Sequence, residues 1–224
     1  MTTAPTRRLT LALMGLTLIA GLAACGDKAK DTPATGPKPA EPKAAEAKPA
    51  HDAEAKPAPA TPKDAAVRAK VGPPLTQLKK GLQAALQTSL REGGPVAALS
   101  VCRDQAPAIA KAASKGGVTV GRVSDKPRAP GNAAKAWMKP LLAKYAGTGR
   151  GDAGPSQLVE LADGGYGYVE PIFVKGVCTT CHGATIAPEL EAKLAELYPN
   201  DKARGYQPGD FRGLFWAEVT ADAL

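Results

Sequence analysis

A forty-residue gap in hydrophobicity divides this chain and decides how much of it can fold. Residues 26–65 contain no Val, Ile, Leu, Met, Phe, Trp, Tyr or Cys. Such a segment buries too little apolar surface to offset the entropy of ordering it. It holds 12 Ala, 8 Pro and 7 Lys, and its 7 Asp and Glu balance the lysines. Repeated Lys-Pro and Pro-Ala steps favour extended, polyproline-like backbone. Residues 25–65 therefore read as a tether reaching on the order of 100 Å, at roughly 3.1 Å per residue. All ten aromatic residues lie between Trp137 and Trp216. Folding is left to residues 66–224, enough for one ordinary domain and not for two.

The segment ahead of the tether is of another kind. Thr6-Arg7-Arg8 is basic, and Leu9 to Ala24 is 16 residues without a charge. That is too short to span a bilayer and suits residues 1–24 as a signal peptide. It ends in Leu22-Ala23-Ala24-Cys25, which resembles the lipobox of bacterial lipoproteins. The resemblance implies cleavage before Cys25 and its acylation. Two or more acyl chains anchor stably, where one binds marginally. The expected location is periplasmic or the outer face of a bacterial membrane, with membrane lipid as a partner through Cys25. A plain secretory signal with an incidental cysteine is the alternative.

Within residues 66–224 there are 20 Lys and Arg against 14 Asp and Glu, so the domain carries +6 of the chain's +8. A moderate positive field suits an anionic cofactor or partner. No basic and aromatic interleaving marks a nucleic-acid site, and export argues against one. Leu75, Leu78, Leu82, Leu86 and Leu90 place an apolar stripe on a helix opened by Pro73-Pro74 and stopped by Gly93-Gly94. Pro95 opens a second helix, whose face holds Val96, Leu99, Cys102, Ala106 and Ile109. Val118–Val123 reads as a strand and Asn132–Tyr145 as a helix kinked at Pro140. Leu158–Ala162 and Tyr166–Val174 form a hairpin around Asp163-Gly164-Gly165. A helix over Pro188–Leu197 and a strand over Arg212–Val219 complete an α+β domain with an antiparallel sheet.

Cys178-Thr179-Thr180-Cys181-His182-Gly183 is the chemical centre. In an exported protein, Cys-x-x-Cys-His reads as c-type haem attachment. Two thiols, Cys178 and Cys181, add to the two haem vinyls, and the adjacent His182 becomes the proximal ligand. Gly183 is expected to leave room beside the ring. A thioredoxin-like pair does not require the histidine. Structural zinc is a rival, since Cys102, Cys178, Cys181 and His182 make a Cys₃His set. His182 is the only histidine of the domain, as His51 lies in the tether. The second axial ligand is therefore Met138, Cys102, a lysine or none. Spacing alone ranks Met138 first, because methionine is the commoner partner in c-type cytochromes.

Several further motifs stand in order along the chain. They are Val101-Cys102, Ala106-Pro107, Ile109-Ala110, Arg122-Val123-Ser124, Lys126-Pro127-Arg128, Asn132-Ala133 and Ala136-Trp137. After them come Pro171-Ile172, Cys178 to Gly183, Tyr198-Pro199, Asp201-Lys202-Ala203, Gly205-Tyr206 and Gly209 to Gly213. Together they resemble the PAS-like mono-haem c family, long catalogued as a domain of unknown function. Gly131-Asn132 departs from the pattern, in a loop. The resemblance implies a PAS-like antiparallel sheet flanked by helices and one covalent haem c. It also implies that Cys102 is the second axial ligand, opposite His182. Arg122 and Arg128 are candidates to pair with the haem propionates.

A thiolate ligand stabilises ferric iron, lowers the reduction potential and can detach on protonation. The reading that follows is a lipid-anchored mono-haem sensor of redox state or of a small ligand. Its alternatives are a simple electron-transfer cytochrome with a redox partner protein, and a zinc-stabilised binding module. No acid–base pair or nucleophile constellation supports an enzyme.

Overall fold

The computed structural model describes residues 61–148, 154 and 156–224. The signal, Cys25 and nearly all of the tether lie outside them. A 39-residue helix, α1 (Pro62–Ser100), opens the fold. Thr61 caps it: its hydroxyl accepts from the Asp64 N–H at 3.1 Å, and the Asp64 carboxylate accepts from the Thr61 N–H at 2.8 Å. The helix thus begins at Pro62, inside the expected tether and eleven residues before Pro73. Val67 and Val71 are fully buried and extend the leucine stripe upstream. Their packing holds the helix through Pro73 and Pro74, where backbone hydrogen bonds are lost. At Gly94 the backbone turns to φ 68° and ψ −168°, and Pro95 begins a new helical segment as the sequence suggests.

That segment passes into a π-helical turn, Val101–Gln105, and then into α2 (Ala106–Ala113). Strand β1 (Val118–Val123) follows. The expected helix over Asn132–Tyr145 is instead two 3₁₀ turns, Pro130–Asn132 and Ala136–Met138, and a short α3 (Lys139–Ala146). Pro140 stands in the first turn of α3, where its missing N–H has no intrahelical partner to lose, so it opens a helix and does not kink one. Strands β2 (Gln157–Glu160) and β3 (Tyr166–Phe173) form the hairpin. A 3₁₀ turn (Gly176–Cys178), α4 (Thr179–His182), α5 (Pro188–Leu197) and β4 (Phe211–Val219) complete the domain, with Ala221–Ala223 as a last 3₁₀ turn.

The sheet order is β1-β4-β3-β2, antiparallel throughout. Side-chain alternation divides the core between its two faces. One face sets Val118, Val120, Tyr166, Tyr168, Ala217 and Val219 against α1 and α2. The other sets Val123, Val169 and Leu214 against Met138, Leu141, Leu142 and Tyr145. A third cluster joins Leu99 of α1 to Leu190 and Leu194 of α5 and to Tyr198. This last cluster sets the end of α1 beside the Cys178–His182 segment. Among the described residues no helix is long and apolar enough to cross a membrane.

Candidate functional site

Cys178 closes its 3₁₀ turn and Cys181 lies one helical turn further, so the two half-buried thiols are neighbours on one face. Short local bonds fix the turn. The Thr179 hydroxyl donates to the Gly176 carbonyl at 2.7 Å, and the Gly183 N–H donates to the Thr179 carbonyl at 2.8 Å. Gly183 is needed here for a reason other than room beside a ring. A Cβ at that position would lie 2.5 Å from the Thr179 carbonyl oxygen.

His182 is held by backbone on several sides. The Tyr206 N–H donates to the His182 carbonyl at 2.9 Å, and the Gly205 N–H donates to the Gly183 carbonyl at 3.0 Å. The ring nitrogen Nδ1 lies 2.8 Å from the Ala203 carbonyl. A carbonyl only accepts, so Nδ1 carries the proton and Nε2 is left with its lone pair free. Burial pushes the imidazole down to about 4, and the Arg128 and Arg212 guanidiniums add to the shift. The ring is therefore neutral near pH 7, the form that binds a metal. The Tyr206 ring meets it edge-on, with centroids 6.4 Å apart.

Arg128 braces this loop. Its Nη2 donates to the Cys181 carbonyl at 2.5 Å and to the Ala203 carbonyl at 3.3 Å. The same nitrogen pairs with Asp201 at 3.1 Å, the side chains being 6% and 2% exposed. Burial alone would raise the Asp201 carboxyl, but bonds from Arg128 and the Ala203 N–H hold it below the usual carboxylate range. Arg128 is thus bound to the segment carrying Cys181 and His182, a contact the sequence did not signal. Asp201 and Ala203 went unnoticed as site residues, since their only signal was a place in the Asp-Lys-Ala motif.

Cys102 sits in the π-helical turn. There the Ala106 N–H reaches back five residues to the Val101 carbonyl, and Pro107 has no N–H to restore the regular ladder. Such turns are frequent at functional sites. Two cavities, of about 380 and 40 Å³, share Cys102, Arg122, Ala129, Asn132 and Tyr198 in their walls. The smaller also takes in His182, Arg128 and Arg212. The structure thus brings Cys102 and His182 to one cavity. Larger clefts, of about 440 and 550 Å³ and both bordered by Asp125, contain neither residue.

Met138 is elsewhere. It is 1% exposed in the cluster with Leu141, Leu142 and Tyr145 on the other face of the sheet. The preference that spacing gave it is thereby corrected: it is a core side chain. The side chain of Arg122, on edge strand β1, makes no hydrogen bond or ion pair with another described residue. Burial lowers its pKa, against which Cys102 and Tyr198 act. Arg212 donates to the Ser124 hydroxyl at 2.8 Å. Among the described residues no group of three or more His, Cys, Asp or Glu gathers to hold a metal ion, so the Cys₃His set is not assembled.

These residues fit a haem group. Two thiols share one turn, and an imidazole with a free Nε2 shares a cavity with a third thiol. Arg122 and Arg212 face that cavity with charge that no carboxylate on its wall offsets, which suits an anionic ligand. Two buried polar atoms beside it, Arg128 Nε and the Tyr198 hydroxyl, have no partner among the described residues. Unsatisfied buried groups of this kind mark a place where something else belongs.

The fold and this arrangement define the class: an α+β domain with a PAS-like, four-stranded antiparallel sheet and a Cys-x-x-Cys-His turn beside it. The family model described as Tll0287-like matches residues 50–219, and the chain belongs to that family. It is the family anticipated from the ordered motifs. No curated protein matches the chain. Among solved structures, the chain is similar to the crystal structure of the cyanobacterial heme-protein Tll0287. The identity is 25%, with a TM-score of 0.53, over 72% of this chain and 97% of the other.

Proposed function

We propose that this chain is a haem protein that senses redox state or a small ligand, held to the outer face of a bacterial membrane by lipid on Cys25. Cys178 and Cys181 would hold one haem covalently, and His182, through Nε2, and Cys102 would ligate its iron. Bound haem supplies a redox-active iron with two axial positions. The observation that carries the reading is the cavity common to Cys102 and His182, beside a turn bearing two free thiols. Membership of a family with a solved heme-protein supports it as well.

Each residue has its part. The Ala203 carbonyl holds the His182 ring in the tautomer that presents Nε2. Arg128 and Asp201 fix the backbone on which Cys181 and His182 stand. Arg122 and Arg212 offer donors to the propionates. Cys102 would favour the ferric state and lower the potential, and its place on an irregular turn suits a ligand able to detach, which favours a sensor over a carrier.

Visible and paramagnetic resonance spectra of both redox states test this reading. The expected result is a Soret band that survives acid extraction and a low-spin ferric signal that Cys102→Ala removes. A colourless zinc-containing protein would overturn it. Binding of carbon monoxide or nitric oxide to the ferrous form supports sensing. No binding, with fast electron exchange to another cytochrome, makes the protein a carrier. For the anchor, Cys25→Ser is expected to move the protein from the membrane to the soluble fraction, and unchanged partitioning would exclude lipidation there.

A further inference from the structure

Beside Cys102 lies a buried tyrosine hydroxyl, that of Tyr198, with no hydrogen-bond partner among the described residues. Tyr198 is 6% exposed, and its ring packs against Leu99, Leu190 and Leu194. Leu99 lies one turn ahead of Cys102 on the same helical run. The hydroxyl is buried without a hydrogen-bond partner, which costs about 1–3 kcal/mol if left so. Burial pushes the phenol up to about 12, and the charge on Cys102 acts in the same direction. Tyr198 and Cys102 also stand in the walls of both adjoining cavities.

The acceptors available are few. Arg122, Arg128 and Arg212 only donate. The Nδ1 of His182 is committed to Ala203. The side chains on the smaller cavity that can accept are His182 Nε2, which the proposed haem iron would take up, the Asn132 amide and the Cys102 sulfur. Of these a thiolate is the stronger acceptor, because a hydrogen bond to an ionised group is about twice as strong as one between neutral groups.

We infer that Tyr198 is the positioning residue for Cys102, donating a hydrogen bond to its sulfur in the haem-loaded protein. The inference rests on the proposed axial role of Cys102. A donor to the sulfur withdraws charge from the iron–sulfur bond, as hydrogen bonds to ligand sulfur do elsewhere. The reduced state, with more charge on sulfur, gains most. Tyr198 therefore moderates how strongly the thiolate favours ferric iron.

The test uses the full-length, haem-loaded protein with Tyr198→Phe, Cys102→Ala and the double variant. Phe keeps the buried ring and removes only the unpaired hydroxyl. Expected for Tyr198→Phe is about a fivefold rise in the oxidised-to-reduced ratio at a fixed ambient potential, the size of one ordinary hydrogen bond. The ferric resonance is expected to shift its g-values and stay low-spin. In the Cys102→Ala background the same substitution is expected to change neither. An unchanged ratio and spectrum in Tyr198→Phe would overturn the inference alone. An equal shift in both backgrounds would also overturn it and assign the hydroxyl to another acceptor, such as a propionate. If Cys102→Ala leaves the wild-type ferric spectrum, the axial role fails and the inference with it.

Discussion

The two sides of the cavity are built by opposite rules. On the His182 side, backbone and side chains interlock. Residues 182 and 183 pair with 205 and 206, Nδ1 is held by Ala203, and a buried Arg128–Asp201 pair fastens the loop. On the Cys102 side, the sulfur has no hydrogen-bond partner among the described residues. It rides on a π-helical turn, and Arg122 beside it is unpaired. The lesson is that rigidity has been spent on one ligand only. The His182 ring is held in one tautomer, while the Cys102 thiol on its irregular turn is held by no such bond.

Breaking the interlocked side has the largest expected effect on stability. Asp201→Ala leaves the Arg128 charge buried and alone, a loss of about 3–5 kcal/mol by chemical denaturation. A loss under about 1 kcal/mol would mean that Arg128 is better hydrated than its 6% exposure indicates. The same pair sets a pH dependence. The folded Asp201 carboxyl lies below its unfolded value of 3.8, so its stabilisation is complete above that value. It is lost as pH falls through the folded value. Asp201→Asn is expected to flatten the acid limb of the stability profile below about pH 4. An unaltered limb would place the acid sensitivity elsewhere.

Met138→Ala comes next, at about 3 kcal/mol for a buried methionine, with the ferric spectrum unchanged. A spectral change with Met138→Ala and none with Cys102→Ala would exchange their roles and undo the comparison. Cys102→Ala is expected to lower stability by about 1 kcal/mol at most, because the side chain is half-buried. It is nonetheless expected to raise the reduction potential, measured by redox titration. Arg122→Gln is expected to leave stability within about 0.5 kcal/mol and weaken haem retention during loading. A large stability loss there would show that Arg122 is a brace like Arg128.

What the sequence revealed was local. The Cys178–His182 turn, the β1 alternation and the α5 boundaries depend on neighbours a few residues apart, and each was readable. The start of α1 was not, because Pro73-Pro74 is a strong local signal that Val67 and Val71 override through packing on the sheet. The purpose of Arg128 was hidden for a like reason: Asp201, Cys181 and Ala203 are distant in sequence and meet it only in the fold. Cys102 and Met138 both sit on apolar faces, and no periodicity separates them. The sheet does, by placing them at different layers. Tyr198 carries no sequence signal beyond Tyr-Pro, since a missing hydrogen-bond partner exists only in three dimensions.

The strand order has a consequence in time. The last strand in the sequence, β4, lies inside the sheet, and β1 has no other strand beside it. β1 cannot pair until a strand nearly a hundred residues later has followed it into the same compartment, and such long-range closure is slow. Cys178, Cys181 and His182 emerge within that wait. On the proposed reading, their reactive atoms would meet haem in a chain whose sheet is still open, so that a bulky, flat molecule could be joined to them without unpacking a finished core.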